Sequence, residues 1–268
     1  MSVITNAKVA GLEPVWAPYR GFSLLFDNPG ESVSPMGEGL ARLNCSVNTS
    51  SSLQLYSALA GLLDKIGRDL LMNTYLFCPL PSYSYHVTVW DGPNDGNARN
   101  VPPRYRPNLE DFLAGLPNSL LGNNGFTTEV YDSPLVLRRG WTLEFKFDRL
   151  TKWGNQVLVA RLAPADKDSE ATLRGITADR TDLTTDLQER FGVKTTNGYS
   201  PHVSLGYFAN REFADLSTPQ IDHWTDMVKK EAGNLTITFS SISLYGFTDM
   251  ATFFKKAPGT AQWKEPHA

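Results

Sequence analysis

Tyr85-His86-Val87-Thr88-Val89 and Pro201-His202-Val203-Ser204-Leu205 are the two stretches of this 268-residue chain that most resemble each other. Both fit His-x-(Thr/Ser)-x, with a β-favouring aliphatic residue at each x, and one falls in each half of the chain. β-Branched and aromatic residues dominate both, so each reads as a strand. Strand side chains alternate between faces, which puts His86 and Thr88 on one side and Val87 and Val89 on the other. The same holds for His202 and Ser204 against Val203 and Leu205. Each strand therefore offers an imidazole and a hydroxyl on a common surface. Of the four histidines in the chain, His223 falls in an amphipathic helix and His267 in the tail, and neither has a matched partner.

Outward from the first motif, Gly21–Phe26 predicts a short strand closed by the turn Asp27-Asn28-Pro29-Gly30. Residues 1–20 read as an irregular lead-in. Leucines between Ser51 and Leu71 recur at helical spacing behind three serines, which predicts one helix. Thr74–Cys78 reads as a strand, the proline-punctuated segment 93–107 as a loop and candidate lid, and 108–116 as a short helix. Residues 117–128 read as loop and 129–139 as a strand. A hairpin is expected at 141–147 and 156–162, and an amphipathic helix at 169–191, broken near Thr181 and with a solvated charged face. After the second motif come a helix at 219–231 and strands around 235–239 and 243–247. Strand, helix, strand, strand recur in roughly that order in each half. The class is α+β, with two mainly antiparallel sheets and helices outside. We expect one bilobal unit, its first-motif lobe at about 21–140 and its second at about 141–250, with some strand exchange between them.

Composition limits the function classes. The 25 basic and 28 acidic residues leave a formal charge of −3, which does not suit a polycationic nucleic-acid coat or a basic membrane binder. Cys45 and Cys78 do not make a disulfide framework, so both are expected as thiols in a reducing compartment. No basic start with an apolar run, and no stretch of 18 apolar residues, marks a secretory signal or a membrane span. The expected location is the cytoplasm.

Two imidazoles facing each other suit acid–base chemistry at a phosphate: one takes a proton from water while the other gives one to the departing oxygen. The hydroxyls of Thr88 and Ser204 can donate to the non-bridging oxygens, where charge changes in the transition state. The arrangement calls for no metal and no cofactor, and neither strand carries the further ligands that zinc needs. Ser200 does not fit a nucleophile elbow, because His202 stands where glycine is required. Tyr83, Tyr85, Trp90, Tyr199 and Tyr207 flank the motifs as candidates for stacking on a base. Arg138, Arg139, Arg161 and Lys194 are the candidate phosphate-facing cations.

The paired motifs resemble the signature of the 2H phosphoesterase superfamily. The resemblance implies a bilobal α+β fold with pseudo-twofold symmetry and a central groove, in which His86 and His202 are the catalytic pair and Thr88 and Ser204 bind phosphate. It implies a metal-independent phosphodiesterase acting on a nucleotide or short oligonucleotide, at a 2′,3′-cyclic phosphate, a 2′-5′ linkage or a cyclic oligonucleotide. The alternative is a non-catalytic nucleotide or RNA-end binding module on the same fold. One departure stands out: several cyclic-phosphodiesterase members carry a basic residue three positions after the second hydroxyl, where this chain has Tyr207. The acidic balance favours a compact ligand over long duplex nucleic acid, whose binding needs many phosphate contacts. The sequence leaves open the oligomeric state and which histidine is the base.

Overall fold

The structure, a computed structural model, describes residues 4–257 apart from 12–14, 38, 123, 155 and 194–197. Two antiparallel sheets carry the chain. The first contains β1 (Gly21–Phe26), β2 (Val33–Gly37), β3 (Leu40–Leu43), β5 (Thr88–Asn94), β10 (Ile242–Asp249) and β11 (Thr252–Lys256), in the order β2-β3-β11-β10-β1-β5. The second contains β4 (Phe77–Pro79), β6 (Leu143–Trp153), β7 (Val157–Pro164), β8 (His202–Phe208) and β9 (Thr236–Phe239), in the order β4-β8-β7-β6-β9. The fold class is α+β, as the sequence predicts.

Gly21-Phe22-Ser23-Leu24-Leu25-Phe26 is apolar at nearly every position because β1 is buried on both faces. From its end, Phe26 stacks on Phe239 of β9 at 4.9 Å and meets Phe145 of β6 edge-on at 5.8 Å, so the two sheets share one core. Just beyond, the half-buried Asp27 carboxylate accepts hydrogen bonds from Ser241, Ser243 and Tyr245 and pairs with Lys255 at 2.6 Å. That cluster pins β10 and β11 to β1.

The helices are α1 (Gln54–Ile66), α2 (Arg68–Thr74), α3 (Arg106–Ala114), α4 (Gly125–Tyr131), α5 (Pro134–Leu137), α6 (Lys167–Phe191), α7 (Arg211–Leu216) and α8 (Ile221–Ala232). α1 and α8 pack together over β6 and β9, and α6 lies along β6 and β7. None of the helices among the described residues is long and apolar enough to cross a membrane.

Four expectations are corrected. The leucine-rich helix divides in two at Gly67, whose φ of +93° is one that L side chains rarely adopt. The expected strand at 129–139 is replaced by the end of α4 and the short α5: Asn124 caps α4 through the Phe126 N–H, and Pro134 takes the first position of α5. These helix starts override the strand preference of Val130, Tyr131 and Val136, and α4 also occupies part of the expected 117–128 loop. α6 runs unbroken through Thr181, whose hydroxyl donates to the Thr177 carbonyl one turn back. β2, β3 and β11 are strands that the sequence reading did not single out.

Candidate functional site

The two motif strands come from different sheets and meet at one antiparallel bridge, Val87 to Val203. That register sets His86 across from Ser204 and Thr88 across from His202. Both valines are fully buried on the core side, while His86, Thr88, His202 and Ser204 are half-buried on the other. The structure thus brings all four motif side chains to one face, related by a local twofold.

The two histidines are held in the same way. Nδ1 of His86 lies 2.7 Å from the Ser84 carbonyl, and Nδ1 of His202 lies 3.0 Å from the Ser200 carbonyl. A carbonyl only accepts, so each Nδ1 carries the proton and donates it. In the neutral ring this leaves the lone pair on Nε2. The Ser84 carbonyl is itself placed by a tight turn in which Ser84 Oγ donates to Pro81 O at 2.7 Å. Asn28 Nδ2 donates to the next carbonyl, Tyr85 O, at 2.8 Å, and Tyr56 steadies Asn28. Each imidazole also packs on an aromatic ring: Phe253 at 4.3 Å from His86, Trp153 at 4.0 Å from His202. Burial pushes both histidines down to about 4. The backbone acceptors resist that shift, while Lys8 adds to it at both rings.

A β-bulge follows each motif and decides what else reaches this face. Leu24 pairs with Trp90 but Leu25 with Thr88, so Val89 is an extra residue in β5. Likewise Leu158 pairs with Gly206 and Val159 with Ser204, making Leu205 extra in β8. An extra residue resets the alternation. Val89 and Trp90 both turn into the core, and Asp91 comes round to the side of Thr88; Leu205 and Gly206 turn inward, and Tyr207 follows Ser204. The first bulge is held from α6, where the buried Arg180 donates through Nε to Val89 O at 3.0 Å and Thr184 accepts from Trp90 Nε1 at 3.2 Å. At the second, only glycine fits: a Cβ on Gly206 would stand 2.4 Å from the Phe77 ring and 2.5 Å from the Cys78 carbonyl.

The flanking aromatics divide. Tyr85 and Trp90 are core residues, 1% and 0% exposed, so neither has a ring face free for a base. The hydrophobic effect takes them inside, Tyr85 edge-on to Tyr56 and Trp90 against Phe22. Tyr207 is also mostly covered, with Trp16 at its edge and its hydroxyl on Met250 Sδ at 3.4 Å. Tyr83 is exposed and lies under the Arg42 guanidinium, whereas Tyr199 is half-buried against Arg180.

Among the candidate cations, Arg161 is the cross-strand partner of His202 and lowers its pKa. Its Nε is buried with no hydrogen-bond partner among the described residues. Arg138 is taken up by an ion pair with Asp179, and Arg139 bonds to the carbonyls of Val136 and Arg138. Lys194 and His267 lie outside the described residues. Both cysteines are free and buried. Sequence reasoning missed Lys8, Asp91, Trp153 and Phe253, because what brings them to the histidines is long-range pairing and two bulges. Among the described residues no group of three His, Cys, Asp or Glu side chains is placed to hold a metal ion.

No family model matches the sequence, and none of the curated proteins does. The fold is similar to the crystal structure of ATU0111, a conserved protein of unknown function from Agrobacterium tumefaciens strain C58. The TM-score is 0.54 at 13% identity, covering 94% of this chain and 89% of that one. At that identity the likeness is one of fold alone. Usb1 of Kluyveromyces marxianus, solved with uridine monophosphate, gives a TM-score of 0.35 at 11% identity over 89% of this chain and 97% of that one, too slight a likeness to build on.

Proposed function

We propose that the chain is a 2H-type phosphodiesterase whose two sheets act as one bilobal catalytic unit on a nucleotide or short oligonucleotide. One observation supports this above the others: the Val87–Val203 bridge sets two imidazoles and two hydroxyls on one face in a twofold arrangement. Each imidazole has its Nδ1 proton held by a backbone carbonyl, which leaves Nε2 for chemistry. In the reaction, one neutral Nε2 takes a proton from water as the water oxygen forms its bond to phosphorus. The other imidazole, protonated, gives its proton to the leaving oxygen as the phosphorus–oxygen bond breaks. Thr88 and Ser204 donate to the non-bridging oxygens, and Arg161 lies beside His202 to offset their charge. The imidazoles perform both proton transfers, so the mechanism calls for no metal ion. Candidate bonds are a 2′,3′-cyclic phosphate, a 2′-5′ linkage and a cyclic oligonucleotide.

A second reading, a nucleotide-binding module without turnover, has one observation in its favour. With both histidines pushed down to about 4, the free protein at neutral pH holds two bases and no acid. An anionic phosphodiester between the rings raises both values and restores the acid, which is why the enzymatic reading is preferred. A panel of cyclic nucleotides, cyclic oligonucleotides and 2′-5′ oligoadenylate, assayed with EDTA present, separates the two. Turnover of at least one member in EDTA supports the enzyme. Binding without turnover across the panel supports the module, and turnover abolished by EDTA overturns the metal-independent mechanism.

A further inference from the structure

The chain ahead of β1 is built into the site. The N–H groups of Thr5 and Asn6 both donate to Ala209 O, at 2.9 and 3.0 Å, just past the end of β8. Asn6, itself buried, donates through Nδ2 to Phe208 O at 2.9 Å and accepts from the Lys8 N–H at 3.1 Å. The Lys8 carbonyl accepts from Ala17 N, and Val9 bridges to Trp16, so the segment folds back on itself. Lys8 is thereby fixed beside Tyr207, the residue that follows Ser204 on the motif face. Its ammonium lies 5.0 Å from the ring centroids of both Tyr19 and Tyr207. Burial opposes that charge, yet Tyr207, Tyr19 and Asp91 outweigh it and hold Lys8 above the ordinary lysine range, so it stays protonated. Its field reaches both imidazoles. Among the described residues it forms no ion pair with a carboxylate.

An ammonium that stays charged, rests on two aromatic faces and forms no ion pair with a carboxylate among the described residues is available to a bound anion. We propose that Lys8, delivered by the N-terminal arm, is the cation that contacts the phosphate between His86 and His202. The phosphate-binding role requires only an anion at this face; that the anion is a phosphodiester under attack rests on the reading above. The charge of Lys8 acts on both imidazoles, so one cation serves either direction of substrate binding.

The test compares wild type, Lys8→Met and Lys8→Arg at low salt, with inorganic phosphate and adenosine 2′-monophosphate as probes in calorimetry. Histidine titrations by NMR accompany it. Lys8→Met is expected to weaken both probes by roughly 10- to 100-fold, the usual loss of a charge-assisted hydrogen bond. Lys8→Arg keeps the charge and stays within about threefold of wild type. Without ligand, the His86 and His202 midpoints rise in Lys8→Met, because a neighbouring positive charge has gone. If Lys8→Met does not fold, Lys8→Gln takes its place under the same criterion. Probe binding equal to wild type in the uncharged variant overturns the assignment, as does a wild type that binds neither probe. Lys8-dependent binding with no turnover of any phosphodiester leaves the assignment standing and overturns only the enzymatic reading.

Discussion

The imidazoles of His86 and His202 depart from free histidine in the same direction and for the same first cause, burial of the charged form. Both values fall to about 4. The sign of the pH dependence follows. A reaction that needs one neutral and one protonated ring draws, in the free protein, on the singly protonated form, which is most abundant near those values. Above them it declines about tenfold per pH unit. We therefore expect kcat/KM to fall through pH 5–7 rather than turn over at the ordinary histidine value. The kcat profile should reach higher pH, because bound phosphate raises the pKa of the ring that acts as acid. The two apparent values belong to the pair rather than to either residue. Stopped-assay rates from pH 4 to 9 check this, and a kcat/KM that rises from pH 5 to 7 would contradict it. At this scale the histidines and hydroxyls were legible in the sequence, since alternation along a strand fixes which side chains share a face. Tyr85 and Trp90 were not legible, because an aromatic beside a motif reads the same whether it faces a ligand or the core.

Among the elements, the bulges carry the design. Were Val89 paired regularly instead of bulged, Trp90 would sit with Thr88 on the polar face and Asp91 would point into the core. Arg180 holds that bulge by satisfying the Val89 carbonyl from a wholly buried position on α6. Its replacement leaves a buried acceptor unpaired and removes a charge-assisted hydrogen bond. Arg180→Met is accordingly expected to lower stability by about 2–4 kcal/mol. Hydrogen-exchange protection should be lost at Val89 and Trp90 ahead of the rest of β5. Urea denaturation with residue-resolved exchange measures both, and an unchanged midpoint would contradict the role given to α6. The motif strands and the β6–β7 hairpin were legible because period-two patterning is local. The bulges were not, since an extra residue shows only against a partner strand. Nor was the inner face of α6: Arg180 reads as a surface charge until the Val89 carbonyl is found beside it.

The whole molecule joins two sheets through the ring contacts of Phe26 and through the Val87–Val203 bridge between the motifs. The α+β class was legible from the order of predicted elements. The return of β10 and β11 to the first sheet and the pairing of β4 with β8 were not, because connectivity of that range leaves no local signal. The N-terminal arm escaped for the same reason, being irregular by itself and anchored by hydrogen bonds to distant residues such as Phe208 and Ala209. In the proposed mechanism each half of the molecule supplies one proton-transfer group to a shared phosphodiester. The most direct measurement is turnover of the best panel substrate by wild type, His86→Ala and His202→Ala, each first shown to keep the native circular dichroism spectrum. Each single variant should lose about 10²- to 10⁴-fold in kcat, the range of one positioned acid or base. Activity that survives in either variant at the wild-type rate would contradict the account.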